Sequence, residues 1–279
     1  MTRVVVTGAA SGIGRAVAQA CHDRGDQLFL LDVDADALSR ASIEVSAVGS
    51  ATCDVTDAEE VERVAQAAAS ALGGIDLVMH AAGVSNSGRV LKLTPADERW
   101  VIDVNVLGTV FVAQSFARIL AAQSTPSRLV LTGSEHSLGT PLLYGAVYTA
   151  SKHAVLGYAD VLRRELPEHV GVSVLCPGMV ATDIWRSSEH RGQAYGGPTT
   201  ASDAGVELLS HGMPAAEVAT AVLRGVAAEE FLIVTHAYVR KVARERWEAI
   251  DAAFDSQAPD ENDDWYEVGT VRRRLAATD

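Results

Sequence analysis

Short apolar runs rich in β-branched residues alternate with longer Ala-rich runs along most of the chain. Val4–Thr7, Gln27–Leu31, Val48–Cys53, Ile75–His80, Arg128–Thr132, Val172–Cys176 and Phe231–Val234 are short and largely apolar without alternation, the pattern of strands covered on both faces. Between them Ile13–Arg24, Ala35–Glu44, Ala58–Leu72, Ala96–Ala122, Tyr148–Leu166 and Ala215–Ala228 are helical candidates. Thr56-Asp57, Thr94-Pro95 and Pro214 stand where helices should start, and Gly25 and Gly73-Gly74 where they should end. Strand–helix alternation at this spacing predicts βαβ units, hence an α/β fold with a doubly wound parallel sheet of about seven strands and helices on both faces.

The pattern weakens in two places. An excursion at about 184–213 is rich in Gly, Ser and Thr and reads as a lid or mobile loop on a single domain spanning 1–254. After the last strand, Ala237–Ala253 places Val239, Val242, Trp247 and Ile250, with Phe254 just beyond, at the spacing of an amphipathic helix. Such a C-terminal extension would lie on the body or on a partner subunit. Residues 255–279 read as a tail that begins with a loose linker at 255–264.

Composition narrows the function classes. The 279 residues are 48% hydrophobic and 21% charged, which fits a globular chain and not a disordered or disulfide-framework one. With 23 Lys+Arg against 36 Asp+Glu the net charge is −13, a balance that repels phosphate backbones and anionic lipid. No nucleic-acid or membrane partner is therefore expected. Cys21, Cys53 and Cys176 are scattered, with no CxxC or Cys/His ligand spacing, so no metal is expected. With no signal-like start and no long uninterrupted apolar run, the expected setting is a reducing cytoplasm.

Candidate chemistry begins at the first strand, which runs into Thr7-Gly8-Ala9-Ala10-Ser11-Gly12-Ile13-Gly14 and then a helix. Glycines there let the backbone turn tightly and approach a pyrophosphate at the helix N-terminus. Without a following Gly-Lys-Ser/Thr, the P-loop reading fails. Asp32 closes the second strand, where a carboxylate can accept both hydroxyls of an adenosine ribose and would repel a 2′-phosphate. Neither Ser11 nor Val33 supplies the cation that a phosphate would need, so NAD(H) is read over NADP(H); a helix-capping Asp is the alternative. Asp54-Val55 ends the third strand, beside the expected adenine, although Asp54 also suits a plain turn.

Tyr148 and Lys152 are four apart on one helical run and share a face. A phenol with an ordinary pKa near 10 is a poor base at neutral pH, and a nearby ammonium favours its ionised form. Ser134 follows the fifth strand, on a loop that can bring its hydroxyl to the phenol. Together Thr7–Gly14, Asp32, Asp54, Ala81-Ala82-Gly83, Asn105, Ser134, Tyr148-x3-Lys152 and Pro177-Gly178-x3-Thr182 resemble the short-chain dehydrogenase/reductase family, over roughly residues 3 to 235. That resemblance implies a Rossmann-type single-domain oxidoreductase that interconverts a secondary alcohol and its ketone. It implies Tyr148 as general acid/base, Lys152 lowering its pKa and holding the nicotinamide ribose, Ser134 bonding the substrate oxygen, and Asn105 holding a relay water. It also implies Gly8, Ser11, Gly12, Ile13, Gly14, Asp32, Asp54, Val55, Ala81 and Gly83 around the dinucleotide. After the sixth strand Pro177 and Gly178 turn the chain, and Val180 and Thr182 would hold the carboxamide. Dimers or a homotetramer paired through the fourth and fifth helices are implied as well.

The sequence departs from the family at His80, where Asn is usual; an imidazole can make similar ties, so a structural change is expected. The substrate pocket should be walled by Leu138, Leu142, Leu143 and Tyr144 and by Ile184-Trp185, with Arg186, His190, Arg191 and Tyr195 as polar contacts. His136 either enters that pocket or faces solvent. The apolar walls suggest a bulky, largely uncharged substrate. Two alternatives remain: a cofactor-sensing module without turnover, which predicts damage to Ser134, Tyr148 or Lys152, and a sugar-nucleotide epimerase, for which too little chain follows Thr182.

Overall fold

The computed structural model describes residues 1–86, 88–139, 145–200, 203–256 and 267–276. Its centre is a seven-stranded parallel sheet in the order β3-β2-β1-β4-β5-β6-β9. The strands are β1 (Arg3–Thr7), β2 (Gln27–Asp32), β3 (Gly49–Thr52), β4 (Leu77–His80), β5 (Ser127–Thr132), β6 (Val170–Cys176) and β9 (Leu232–Val234). The order reverses beside β1, which opens a crevice at the carboxyl ends of β1 and β4. Helices α1 (Gly12–Asp23), α2 (Ala35–Glu44) and α8 (Ala215–Ala227) cover one face around Val17, Leu38 and Val222. Helices α3 (Ala58–Leu72), α5 (Gly108–Ala122) and α6 (Ala146–Glu165) cover the other around Val64, Phe116 and Val155. β1, β2, β4, β5 and β6 are thus buried on both sides, as expected, whereas the edge strands β3 and β9 keep exposed positions. Asp57 caps α3 by accepting the Glu59 and Glu60 amides, and Thr94 forms a capping box with Asp97 at α4 (Pro95–Ile102).

The long fourth helix of the sequence reading is interrupted. A π-helical turn, Asp103–Leu107, separates α4 from α5. Such a turn frees backbone groups and is favoured only where something replaces the lost bonds. Here the Thr109 hydroxyl donates to the Asn105 carbonyl at 2.7 Å. Asn105 itself accepts the Val84 amide at 2.8 Å and donates to the Val84 carbonyl at 2.9 Å and Ser151 Oγ at 3.1 Å. An 18-residue window within Pro95–Ala122 has a mean hydropathy of 1.5 and would pass for a bilayer crossing by length and composition, yet half of that window is buried inside the protein.

His80 does tie neighbouring elements together. Its Nδ1 accepts the Thr7 hydroxyl at 2.7 Å, and its Nε2 donates to Thr109 Oγ1 at 3.0 Å. Since Thr109 is already a donor to Asn105, the network fixes this tautomer. Burial holds the imidazole down at about 3, and the Lys152 ammonium pushes it the same way. Between pH 6.5 and 3 the unfolded chain therefore binds a proton that the native state refuses, so stability rises with pH through that window and falls on acidification by up to about 5 kcal/mol. A His80→Asn variant, keeping a donor and an acceptor without a titrating ring, should lose that acid sensitivity. Thermal unfolding from pH 7 to 4 measures it, and an unchanged profile would place the sensitivity elsewhere.

One expectation needs correction, and two are filled in. The excursion is not one loose loop: it holds 3-10 turns at Asp183–His190 and Gln193–Tyr195, helix α7 (Asp203–Ser210), and a two-strand ladder of β7 (Val180–Ala181) with β8 (Met213–Pro214). It is fastened to α4 by an ion pair of the buried Arg191 with Asp97, and by the Tyr195 hydroxyl, which donates to Asp103 Oδ2 at 2.9 Å. The C-terminal helix α9 (Val239–Asp255) packs only in part. Val239 is buried and Val242 and Ile250 half-buried, but Trp247 and Phe254 are 63% and 73% exposed; α10 (Val268–Ala276) follows inside the expected tail. Of the apolar residues on the fourth and fifth helices of the sequence reading, Trp100, Phe116, Val155 and Leu162 are buried within the chain's own core, and Val104, Phe111, Leu156 and Tyr158 are half-buried.

Candidate active site

The carboxyl ends of β1, β2, β4, β5 and β6 open into one cavity of about 1340 Å³. At one end the β1–α1 turn has no room for side chains. Gly8 has φ +64°, and a Cβ there would lie 2.6 Å from the Ala82 amide nitrogen; at Gly14 it would lie 2.1 Å from the Gly8 carbonyl oxygen. Ser11 stands at the N-cap of α1 in extended conformation, its side chain does not cap the helix, and no acidic residue occupies the first turn. The turn is pinned to β2 by Asp32, whose Oδ2 accepts the Ala10 amide at 2.9 Å and Oδ1 the Asp34 amide at 3.0 Å. Each carboxylate oxygen retains a lone pair for a further donor. Asp54 is a turn residue as well as a wall: its Oδ1 accepts the Thr56 amide and hydroxyl at 2.9 and 2.8 Å.

The other end gathers the titratable groups. Ser134 caps the 3-10 turn Glu135–Ser137, and Ser137 Oγ donates to the Lys152 carbonyl at 2.7 Å, which fixes the β5 loop against α6. Lys152 is 3% exposed, donates from Nζ to the Thr132 carbonyl at 2.9 Å, and stands 5.5 Å from the centre of the Tyr148 ring. Burial pushes this lysine down to about 8. Desolvation pushes the Tyr148 phenol up to about 12; the Ser134 hydrogen bond draws it back and the nearby Glu135 charge raises it further. In the protein alone desolvation is the largest cause, because the burial that brings phenol and ammonium together also penalises both charges. His136 enters the pocket rather than facing solvent. It is buried, takes Thr149 Oγ1 at 2.7 Å on Nδ1, and meets the Tyr148 ring edge-on at 5.2 Å. Burial lowers it to about 4, helped by His153 and Lys152.

Gly8, Ser11, Gly12, Ile13, Asp32, Asp54, Val55, Ala81, Gly83, Ser134, His136, Tyr148, Lys152, Pro177, Gly178, Val180, Thr182 and Trp185 all border this cavity. Gly14 and Asn105 stand behind the wall. A Cβ on Gly83 would be 3.4 Å from Asn105 Oδ1 and 3.6 Å from Lys152 Nζ, so Gly83 lies beside both groups. Ile184, Arg186, His190 and Tyr195 are on the wall too; Leu138 instead packs on the core, and Arg191 is taken up by Asp97. Leu142, Leu143 and Tyr144 lie outside the described residues. Glu135, His236 and Tyr238 also border the cavity and were not singled out in the sequence. The adjacency of Glu135 to Ser134 was a signal for the first, but nothing local marks the other two.

A family model described as short chain dehydrogenase matches residues 2–193. The chain is 37% identical to a 1-deoxy-11-beta-hydroxypentalenate dehydrogenase of Streptomyces avermitilis over 84% of each chain. It is 29% identical to a C alpha-dehydrogenase of a Sphingobium species, over 92% of this chain and 87% of that one. Among solved structures, a short chain dehydrogenase/reductase of Burkholderia phymatum in complex with NAD superposes with a TM-score of 0.84 at 32% identity, over 92% of this chain and 97% of that one.

Proposed function

Since the chain belongs to the short-chain dehydrogenase family, we propose that it is an NAD(H)-dependent oxidoreductase that interconverts a bulky secondary alcohol and its ketone, with Tyr148 as general acid/base. The observation that carries this reading is the convergence of Ser134, Tyr148 and Lys152 at one end of a cavity whose other end is the glycine turn and Asp32. That turn suits a dinucleotide on its own geometry. Gly8 and Gly14 are cradle positions that a Cβ would fill, and the uncapped Ser11 hydroxyl and the α1 N-terminus suit a pyrophosphate.

Gly8, Ser11, Gly12 and Ile13 would hold the pyrophosphate, Asp32 the adenosine ribose, Asp54 and Val55 the adenine. Ala81, Gly83, Tyr148, Lys152 and the Pro177–Thr182 loop would surround the nicotinamide half. Bound there, the nicotinamide supplies a hydride acceptor or donor and, when oxidised, a positive charge. Ser134 donates its hydroxyl proton to the substrate oxygen and so orients it against the Tyr148 phenol. Tyr148 takes the alcohol proton as the carbon is oxidised and returns it in the reverse direction. Lys152 stabilises the phenolate by its charge. Asn105, through the Val84 backbone and the Ser151 hydroxyl, fixes the segments beside Lys152 and so helps to keep the ammonium in place.

The walls of the substrate end argue for a large neutral body. Ile184, Trp185, Met179 and Val242 offer apolar surface, and His136, held neutral at physiological pH, offers a polar contact without a charge. A 1-deoxy-11-beta-hydroxypentalenate dehydrogenase among the relatives supports a hydroxylated substrate. A panel of alicyclic, aromatic and short-chain secondary alcohols, followed by NADH absorbance, tests this; turnover confined to small hydroxy acids or sugar phosphates would overturn it. The cofactor choice is tested separately. Asp32→Ala removes up to two charge-assisted hydrogen bonds and the repulsion of a 2′-phosphate. The kcat/KM ratio of NAD over NADP should therefore fall by about tenfold or more, and an unchanged ratio would mean that Asp32 serves only the turn.

A further inference from the structure

The chain does not leave the site after β9. Thr235 to Tyr238 turn back over the loop that follows β6 and grip its backbone. His236 uses both ring nitrogens: Nδ1 accepts the Gly178 amide at 3.1 Å, shared with the Thr235 hydroxyl at 2.7 Å, and Nε2 donates to the Met179 carbonyl at 3.1 Å. The Tyr238 hydroxyl accepts the Met179 amide at 3.2 Å, and its ring stands edge-on to His236 at 5.4 Å. Two successive peptides are thus held by two side chains from nearly sixty residues away. The fit leaves no slack, since a Cβ on Gly178 would lie 2.3 Å from Tyr238 Oη and 2.8 Å from His236 Cγ. One turn into α9, Val242 presses on the β5 loop, where a Cβ on Gly139 would come within 2.5 Å of Val242 Cγ1. Pro177 in turn accepts the Glu135 amide at 2.7 Å, so the gripped loop is tied to the segment beginning at Ser134.

Gly178 has no side chain with which to anchor itself, and the β7 strand that follows is two residues long. A loop so lightly built needs an external hold to keep one conformation. Resting on the reading that Pro177–Thr182 seats the nicotinamide, we propose that His236 and Tyr238 are positioning residues that clamp the Gly178–Met179 backbone and thereby set the nicotinamide end of the cavity. The C-terminal extension is then a working part of the site. Gly178 is required for a reason beyond turning the chain: two aromatic rings rest on its backbone.

The test compares wild type with Tyr238→Phe, His236→Ala and His236→Asn. Tyr238 is 51% exposed, so loss of its hydroxyl leaves the ring packing in place, and a Glu135→Gln variant separates the loss of its bond to Glu135 from the loss of its bond to Met179. Two ligands are titrated, NADH and ADP-ribose, which share every group except the nicotinamide. The clamp predicts that Tyr238→Phe and His236→Ala each weaken NADH by about tenfold and leave ADP-ribose unchanged. His236→Asn, which keeps an acceptor near the Nδ1 position, should recover part of the loss. Hydrogen exchange of the 177–182 segment, measured without any ligand, should quicken in the same variants. Equal weakening of both ligands, or none in either, would overturn the clamp. Unchanged exchange would overturn it whatever the protein binds, whereas faster exchange in the variants, with a wild type that binds neither nucleotide, would keep the clamp and sink the proposed function.

Discussion

Tyr148→Phe should lower turnover by about a thousandfold or more while leaving NADH binding nearly intact. The substitution removes one oxygen and keeps the ring against His136, so the wall of the cavity survives. What disappears is the group that can exchange a proton with the substrate oxygen. Ser134 cannot replace it, because a hydroxyl with no base beside it stays protonated. His136 is a poor replacement as well: Thr149 occupies its Nδ1, and burial keeps it from being protonated above about pH 4. The pH dependence carries the sign of the mechanism. Desolvation holds the phenol at about 12 in the protein alone, so alcohol oxidation needs extra positive charge at the site to ionise it. With NAD+ saturating, the rate should rise with pH to a midpoint well below a free phenol's value of about 10. A Tyr148→Phe enzyme with near-normal turnover would remove the mechanism and leave the fold and the cofactor reading standing.

Lys152→Met should do two opposite things. Activity should fall by about a hundredfold or more, with the pH–rate midpoint moved upward, because the phenolate loses its charged neighbour. Stability should rise. The lysine's folded value, about 8, lies below its ordinary 10.5, so the native state holds its proton less tightly than the unfolded chain does. Below pH 8 the buried ammonium therefore costs stability in full, and the cost is relieved as pH climbs from 8 to 10.5. Allowing for the lost hydrogen bond to the Thr132 carbonyl, a methionine of similar length should gain about 2 kcal/mol near pH 7, with the gain vanishing toward pH 10.5. Denaturant unfolding at pH 7 and pH 10 measures both ends. A less stable Lys152→Met protein at pH 7 would mean that the hydrogen bond outweighs the desolvation.

Much of this architecture is legible in the sequence because it is written in local patterns. A strand buried on both faces has to be apolar at every position, and Val4, Val5 and Val6 say so directly. Gly8 and Gly14 declare a turn with no space, and the four-residue step from Tyr148 to Lys152 declares a shared helix face. The shape of the excursion was hidden because its fastenings are single contacts across long sequence separations, Arg191 to Asp97 and Tyr195 to Asp103. His236 and Tyr238 were hidden for the same reason: their partners are backbone atoms, which leave no trace in residue identity. The desolvation of the Tyr148 phenol was not legible, because spacing reports which charges are near and not how much water has been removed.

The π turn at Asp103–Leu107 acts as a phase shifter. One added residue rotates everything beyond it by about 100° relative to an unbroken α-helix. Before the turn the helix lies against α6, and after it the helix lies against α3. A single continuous rod can therefore serve two neighbours on different sides, provided that it is apolar around more of its circumference than an ordinary surface helix. Its bilayer-like hydropathy is the signature of that double duty. Deleting one residue from the turn would bring the two halves back into register with each other and swing one of them away from the neighbour it was built to meet.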